Sequence, residues 1–82
     1  MVEVEFTKEF QLIFSKIKDN LLKTKIKKQI EKIRDNPEIG KPMRNVRKGT
    51  RELYINPFRL SYIYSVNDKV VYILDLYHKK NQ

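Results

Sequence analysis

The chain has 82 residues, 40% hydrophobic and 34% charged, which suits one small domain with a single core and argues against disorder. It has no cysteine and one histidine, His78, which excludes a disulfide framework or thiolate metal site and leaves no metal or cofactor expected. Eighteen Lys and Arg against ten Asp and Glu leave a formal charge of +8, a field that favours nucleic acid, an acidic protein partner or an anionic membrane surface.

Val2–Phe6 alternates Val2, Val4 and Phe6 with Glu3 and Glu5, and period two over so short a run predicts a strand with one buried face. Thr7 is placed to cap the helix that follows. There Phe10, Ile13, Phe14 and Ile17 recur at i, i+3, i+4 and i+7 as one apolar stripe. Asp19-Asn20 interrupts this run and caps a second helix, in which Leu22, Ile26, Ile30 and Ile33 continue the stripe among Lys23, Lys25, Lys27, Lys28 and Lys32. The two stripes predict a helical hairpin with its apolar faces turned the same way, ended by Asn36-Pro37 and Gly40. Residues 38–50 (EIGKPMRNVRKGT) form a basic loop carrying Lys41, Arg44, Arg47 and Lys48, with a brief extended piece around Met43–Val46. Period two then returns: a strand at Arg51–Asn56, a bend at Pro57, a strand at Phe58–Val66, a hairpin turn at Asn67-Asp68 and a third strand at Lys69–Tyr77. The order is β-α-α-β-β-β. It predicts one α+β domain over residues 1–82, a two-helix hairpin packed on one face of a mainly antiparallel four-stranded sheet.

Strand parity sorts the side chains. Leu53 and Ile55 share one face, and Glu52 and Tyr54 the other. Phe58, Leu60, Tyr62, Tyr64 and Val66 form the apolar parity of the next strand, opposed by Arg59, Ser61, Ile63 and Ser65. In the last strand both parities are apolar, Val71 and Ile73 against Val70, Tyr72, Leu74 and Leu76, which predicts a central strand buried on both sides. A face free of helices would then carry Glu52, Tyr54, Arg59 and either Tyr77 or His78. Parity alone leaves that face readable as ordinary solvated sheet exterior, and the charge excess readable as a Lys-rich thermophile surface, although there Lys rises together with Glu. No apolar run approaches the roughly 20 residues of a membrane span. The opening MVEVEF lacks a signal pattern, so a cytoplasmic protein is expected.

The stretch RKGTRELYINPFRLSYIYSVNDKVVYILDLYHKK resembles the RelE/ParE toxin family. The matching pieces are Arg51-Glu52-Leu53, Phe58-Arg59-Leu60-Ser61-Tyr62, the turn at Asn67-Asp68 and the ending His78-Lys79-Lys80, with Gly40-Lys41-Pro42 as the family turn before them. The family order is likewise β-α-α-β-β-β, so the resemblance covers essentially the whole chain. It implies the toxin of a toxin–antitoxin pair. RelE-type members cut messenger RNA in the decoding site of the ribosome, and ParE-type members poison DNA gyrase. The partners implied are a cognate acidic RelB-like antitoxin, the ribosome and mRNA, with a toxin–antitoxin heterotetramer among the assemblies expected. The leading expectation is a ribosome-dependent endoribonuclease. A gyrase inhibitor, or a module that grips phosphates without chemistry, is the alternative.

RNA cleavage of this kind uses the substrate's own 2′-hydroxyl as nucleophile. The protein must help deprotonate it, stabilise charge on the phosphate and protonate the leaving 5′-oxygen. On the resemblance, Arg59 is the catalytic arginine of the family's central strand, suited to phosphate because a guanidinium offers forked donors. His78 takes the place of a proton-transferring histidine, and Lys79 that of an arginine after the last strand. These three are expected to converge at one end of the hairpin. Arg44, Arg47, Lys48, Arg51, Tyr54 and Tyr77 are the expected nucleic-acid-binding residues. Two departures stand out: Glu52 and Tyr54 occupy places where one ribonuclease branch has lysines, and the chain stops at Asn81-Gln82, where some members continue to a base-stacking tyrosine.

Overall fold

The computed structural model describes residues 2–45 and 47–81. Strand β1 (Glu3–Phe6) is followed by helices α1 (Lys8–Lys16) and α2 (Asn20–Asp35), then by β2 (Lys41–Pro42), β3 (Arg51–Ile55), β4 (Phe58–Ser65) and β5 (Val70–His78), and a closing 3-10 turn (Lys79–Asn81). The sheet has the order β1-β5-β4-β3-β2, with β1 parallel to β5 and the other pairs antiparallel.

Both helix starts follow from their capping residues. The Thr7 hydroxyl accepts from the Phe10 amide at 3.1 Å and donates to the Leu74 carbonyl at 2.8 Å, so it starts α1 and ties it to β5. The Asp19 carboxylate accepts from the amides of Leu21 and Leu22. From the two stripes, Phe10, Ile26 and Ile33 are buried, and Ile13, Phe14, Ile17, Leu22 and Ile30 pack partly covered against them. They meet Ile55, Leu60, Tyr62, Val71, Ile73 and Leu76 on one side of the sheet. At the end of α2, the buried Tyr62 hydroxyl accepts from the Gly40 amide and donates to the Pro37 carbonyl, both at 2.8 Å. A Cβ on Gly40 would lie 2.6 Å from that hydroxyl, so only glycine fits there. Burial, the largest influence on Tyr62, pushes its hydroxyl above the ordinary pKa of 10.0.

Four expectations are corrected. The sheet has five strands, because Lys41–Pro42 pairs with β3 as an edge. The extended piece expected around Met43–Val46 therefore sits two residues earlier, and Val46 lies outside the described residues, as do Met1 and Gln82. The strand β4 stops at Ser65, where the Ser65 hydroxyl bonds the Asp68 carboxylate, leaving Val66 in the turn and exposed rather than in the apolar parity. The double apolar parity of the last strand has a different cause from burial on both sides. Ser61 pairs with Asp75 and Tyr62 with Ile73, so Leu74 is an extra residue, a bulge that flips the parity of β5 midway. Val71 and Ile73 before it, and Leu76 after it, all reach the core, whereas Tyr72 is exposed and Leu74 is only half-buried.

Candidate functional site

The same register that fills the core also orders the opposite face. Tyr54 pairs with Arg59 and Arg59 with Tyr77, giving one cross-strand row on the side away from the helices. The row beside it is Lys41, Glu52, Ser61 and Asp75. Side chains opposite one another in a sheet are close enough to interact directly.

Glu52 sits at the middle of this surface and is only 4% exposed. Its Oε2 accepts a hydrogen bond from the Tyr77 hydroxyl, and its Oε1 lies 3.5 Å from Nη1 of Arg59. Glu52 Oε1, Arg59 Nε and the Ser61 hydroxyl are buried without a hydrogen-bond partner among the described residues. Burying a carboxylate is costly unless it is paired, so the sequence spends stability here on a polar cluster. Above it the Arg59 guanidinium lies 5.8 Å from the Tyr54 ring centre, and the Lys79 ammonium lies 5.8 Å from the same ring. The Lys79 amide donates to the Pro57 carbonyl at 2.9 Å, which fastens the end of β5 onto the β3–β4 turn and delivers Lys79 to Tyr54.

A cleft of about 670 Å³ opens next to the cluster, lined by Lys41, Met43, Arg44, Arg47 and Tyr77 among others. The Arg47 guanidinium stacks 4.2 Å from the Tyr77 ring centre and pairs with Asp75 at 3.7 Å. Arg47 itself has a left-handed backbone (φ 67°) in the turn that also contains Gly49 (φ 94°), and the Thr50 amide and hydroxyl both bond its carbonyl. The tight turn thus holds the guanidinium over the tyrosine.

The structure brings Arg59 and Lys79 each to the Tyr54 ring, and gathers Arg44, Arg47 and Tyr77 around the cleft. Lys48 is exposed in the turn at the same end. His78 does not join Arg59. It pairs with Phe58, one step out of phase with the Arg59–Tyr77 pair, its ring lies edge-on to Phe58 at 5.6 Å, and its Nδ1 accepts from the Lys80 amide. The register, invisible in the sequence, decides this. Arg51 is likewise on the helix side, opposite Tyr62. It donates to the carbonyls of Glu38 and Gly40 at 3.0 and 2.8 Å and so braces the turn after α2 rather than the cleft. Glu52 is the residue that sequence reading undervalued. The signal available was a carboxylate at the centre of a strand that otherwise supplies the core.

Among the described residues no group of His, Cys, Asp and Glu is arranged to hold a metal, and no helix is long and apolar enough to cross a membrane.

Residues 4–82 match the family model of the ParE toxin of type II toxin–antitoxin systems. The chain belongs to that family. Its fold is that of solved toxins at low identity. The RelBE2 toxin–antitoxin complex of Mycobacterium tuberculosis shares 24% identity over 95% of this chain and 98% of that one, with a TM-score of 0.81. The YoeB/ParE toxin from Agrobacterium tumefaciens shares 14% over 94% and 98%, with a TM-score of 0.82. The intact Escherichia coli RelBE toxin–antitoxin complex shares 14% over 93% and 94%, with a TM-score of 0.79. No sequence among the curated proteins matches.

Proposed function

We propose that this toxin is a ribosome-dependent endoribonuclease that cuts mRNA, residues 1–82 acting as one toxin domain in the cytoplasm. The observation that carries the reading is the pairing of Arg59 and Lys79 over one exposed tyrosine, beside a cleft walled by Lys41, Arg44 and Arg47. A single-stranded polyanion needs both elements: cations along its backbone and an aromatic face for a base. Arg59 stabilises the charge that builds on the scissile phosphate, and Lys79 offsets charge on the leaving oxygen. His78, directed to Phe58, contributes to the packing of the strand end. A partner antitoxin of net negative charge covers this face and silences it, in a toxin–antitoxin heterotetramer.

The position of His78 favours one other reading. Without it, Arg59 and Lys79 have no imidazole beside them, as a gyrase-directed poison would need none. One experiment separates the two. Purified toxin is added to ribosomes programmed with a defined mRNA, and in parallel to DNA gyrase with supercoiled plasmid. The ribonuclease reading expects cuts in the mRNA that Arg59→Ala abolishes, and no gyrase-linked breaks. Intact mRNA together with gyrase-linked breaks would replace it with the other.

A further inference from the structure

A cluster of Arg59 and Lys79 can hold and neutralise a phosphate, but neither cation readily accepts a proton, and His78 faces Phe58. We infer that Tyr77 and Glu52 supply the missing base: the Tyr77 hydroxyl takes the proton of the attacking 2′-hydroxyl while handing its own to the Glu52 carboxylate. This inference rests on the ribonuclease reading above.

Three observations carry it. Tyr77 is at once a wall of the cleft and the hydrogen-bond donor to Glu52 Oε2, so one side chain borders both the open cleft and the buried acid. Tyr77 is also the direct cross-strand neighbour of Arg59, which places the base next to the phosphate-binding cation. Finally, Glu52 is buried yet incompletely paired. Its Oε1 is near Arg59 without a hydrogen bond, an arrangement that is costly if its only task is to hold the strands together. Arg47, stacked 4.2 Å from the Tyr77 ring centre, adds positive charge over the ring of the residue that gives up its proton.

The step balances. The 2′-oxygen forms a bond to phosphorus as the bond from phosphorus to the 5′-oxygen breaks. The 2′-hydroxyl proton passes to Tyr77 Oη and the tyrosine proton to Glu52 Oε2, while the Lys79 ammonium protonates the departing 5′-oxygen. The products are a 2′,3′-cyclic phosphate and a 5′-hydroxyl, and Glu52 and Lys79 recover by proton exchange with water. Tyr77 is the catalytic residue, and Glu52 acts through it.

The test is single-turnover cleavage of a defined mRNA on programmed ribosomes by Tyr77→Phe, Glu52→Gln and the double variant, with thermal midpoints recorded alongside. Each single variant is expected to lose about a hundredfold or more in rate. The double variant loses no more than either, because both interrupt one relay. The loss in Glu52→Gln falls on the cleavage rate at saturating ribosomes and leaves the half-saturating ribosome concentration unchanged, which a purely structural role would not produce. Near-wild-type cleavage by Tyr77→Phe, or losses that add in the double variant, overturns the relay. Tyr77→Phe keeps the ring beneath Arg47, so it decides the matter even if Glu52→Gln fails to fold. Failure of the ribonuclease reading looks different: the wild-type toxin itself then leaves the mRNA intact, and the relay falls with it.

Discussion

On the helix side of the sheet, Leu60, Tyr62, Val71 and Ile73 are fully enclosed by Ile26, Ile33 and Phe10, and the polar groups there are matched one to one, as in the bonds of Tyr62 to Gly40 and Pro37. On the other side of the same strands, Glu52 and Ser61 are buried and Arg59 is half-buried, and one buried polar atom of each is unmatched among the described residues, under a row of tyrosines and cations. Stability concentrates where apolar atoms leave water and each donor finds an acceptor. The proposed site lies where the chain accepts incomplete pairing and keeps charges close to the surface. One sheet separates the two because consecutive residues of a strand point to opposite sides.

Substitutions on the two sides should separate just as cleanly. The largest stability effect belongs to the helix side. Ile33→Ala removes a fully buried side chain and should cost about 2–5 kcal/mol in chemical denaturation. Ile30→Ala, at a half-buried position, should cost less. If Ile33→Ala unfolded at the wild-type midpoint, the α2 stripe would not be core. Next comes Tyr62→Phe, which strands the Gly40 amide and should cost about 1–3 kcal/mol. It should also change the alkaline limb of stability. Because the folded chain raises the Tyr62 pKa, this contribution is complete below about 10 and is lost as pH rises above it. The variant's unfolding free energy should fall less steeply in that range. A wild-type slope in the variant would mean that other groups set the alkaline limb.

A smaller stability effect is expected across the sheet. Arg47→Ala should leave the denaturation midpoint nearly unchanged, since its ion pair with Asp75 is partly exposed. It should weaken single-stranded RNA binding, and it should flatten the fall of affinity with salt by about one phosphate contact. A variant with the wild-type salt slope would remove Arg47 from the interface.

The helix side was legible because period 3.6 and period two are written into Phe10, Ile26, Ile33, Leu60 and Val71, and because Thr7 and Asp19 are natural caps. The sequence misled where the period broke. The extra residue at Leu74 made both parities of β5 look apolar, and nothing in the local residue types marks the bulge. On the other side, the residue types of Arg59, Lys79 and Tyr54 drew attention, but their meeting depends on strand register and on the Lys79–Pro57 bond. The same register turned His78 toward Phe58 and Arg51 toward Glu38, so two residues of suitable chemistry lie on the helix side, away from Arg59. Glu52 was placed on the right face but given no role, because an acid in a basic protein reads as a solvated partner until its burial is known.

The central claim is that the helix-free face, anchored by Arg59, carries the toxicity by cutting RNA. The most direct measurement maps RNA 5′ ends across the transcriptome of cells expressing the wild-type toxin or Arg59→Ala, with the antitoxin absent and both proteins shown to be folded. The account predicts new 5′-hydroxyl ends within translated messages and growth arrest for the wild type, with both lost in Arg59→Ala. Growth arrest without new RNA ends, or an Arg59→Ala protein that still cuts and arrests, would contradict it.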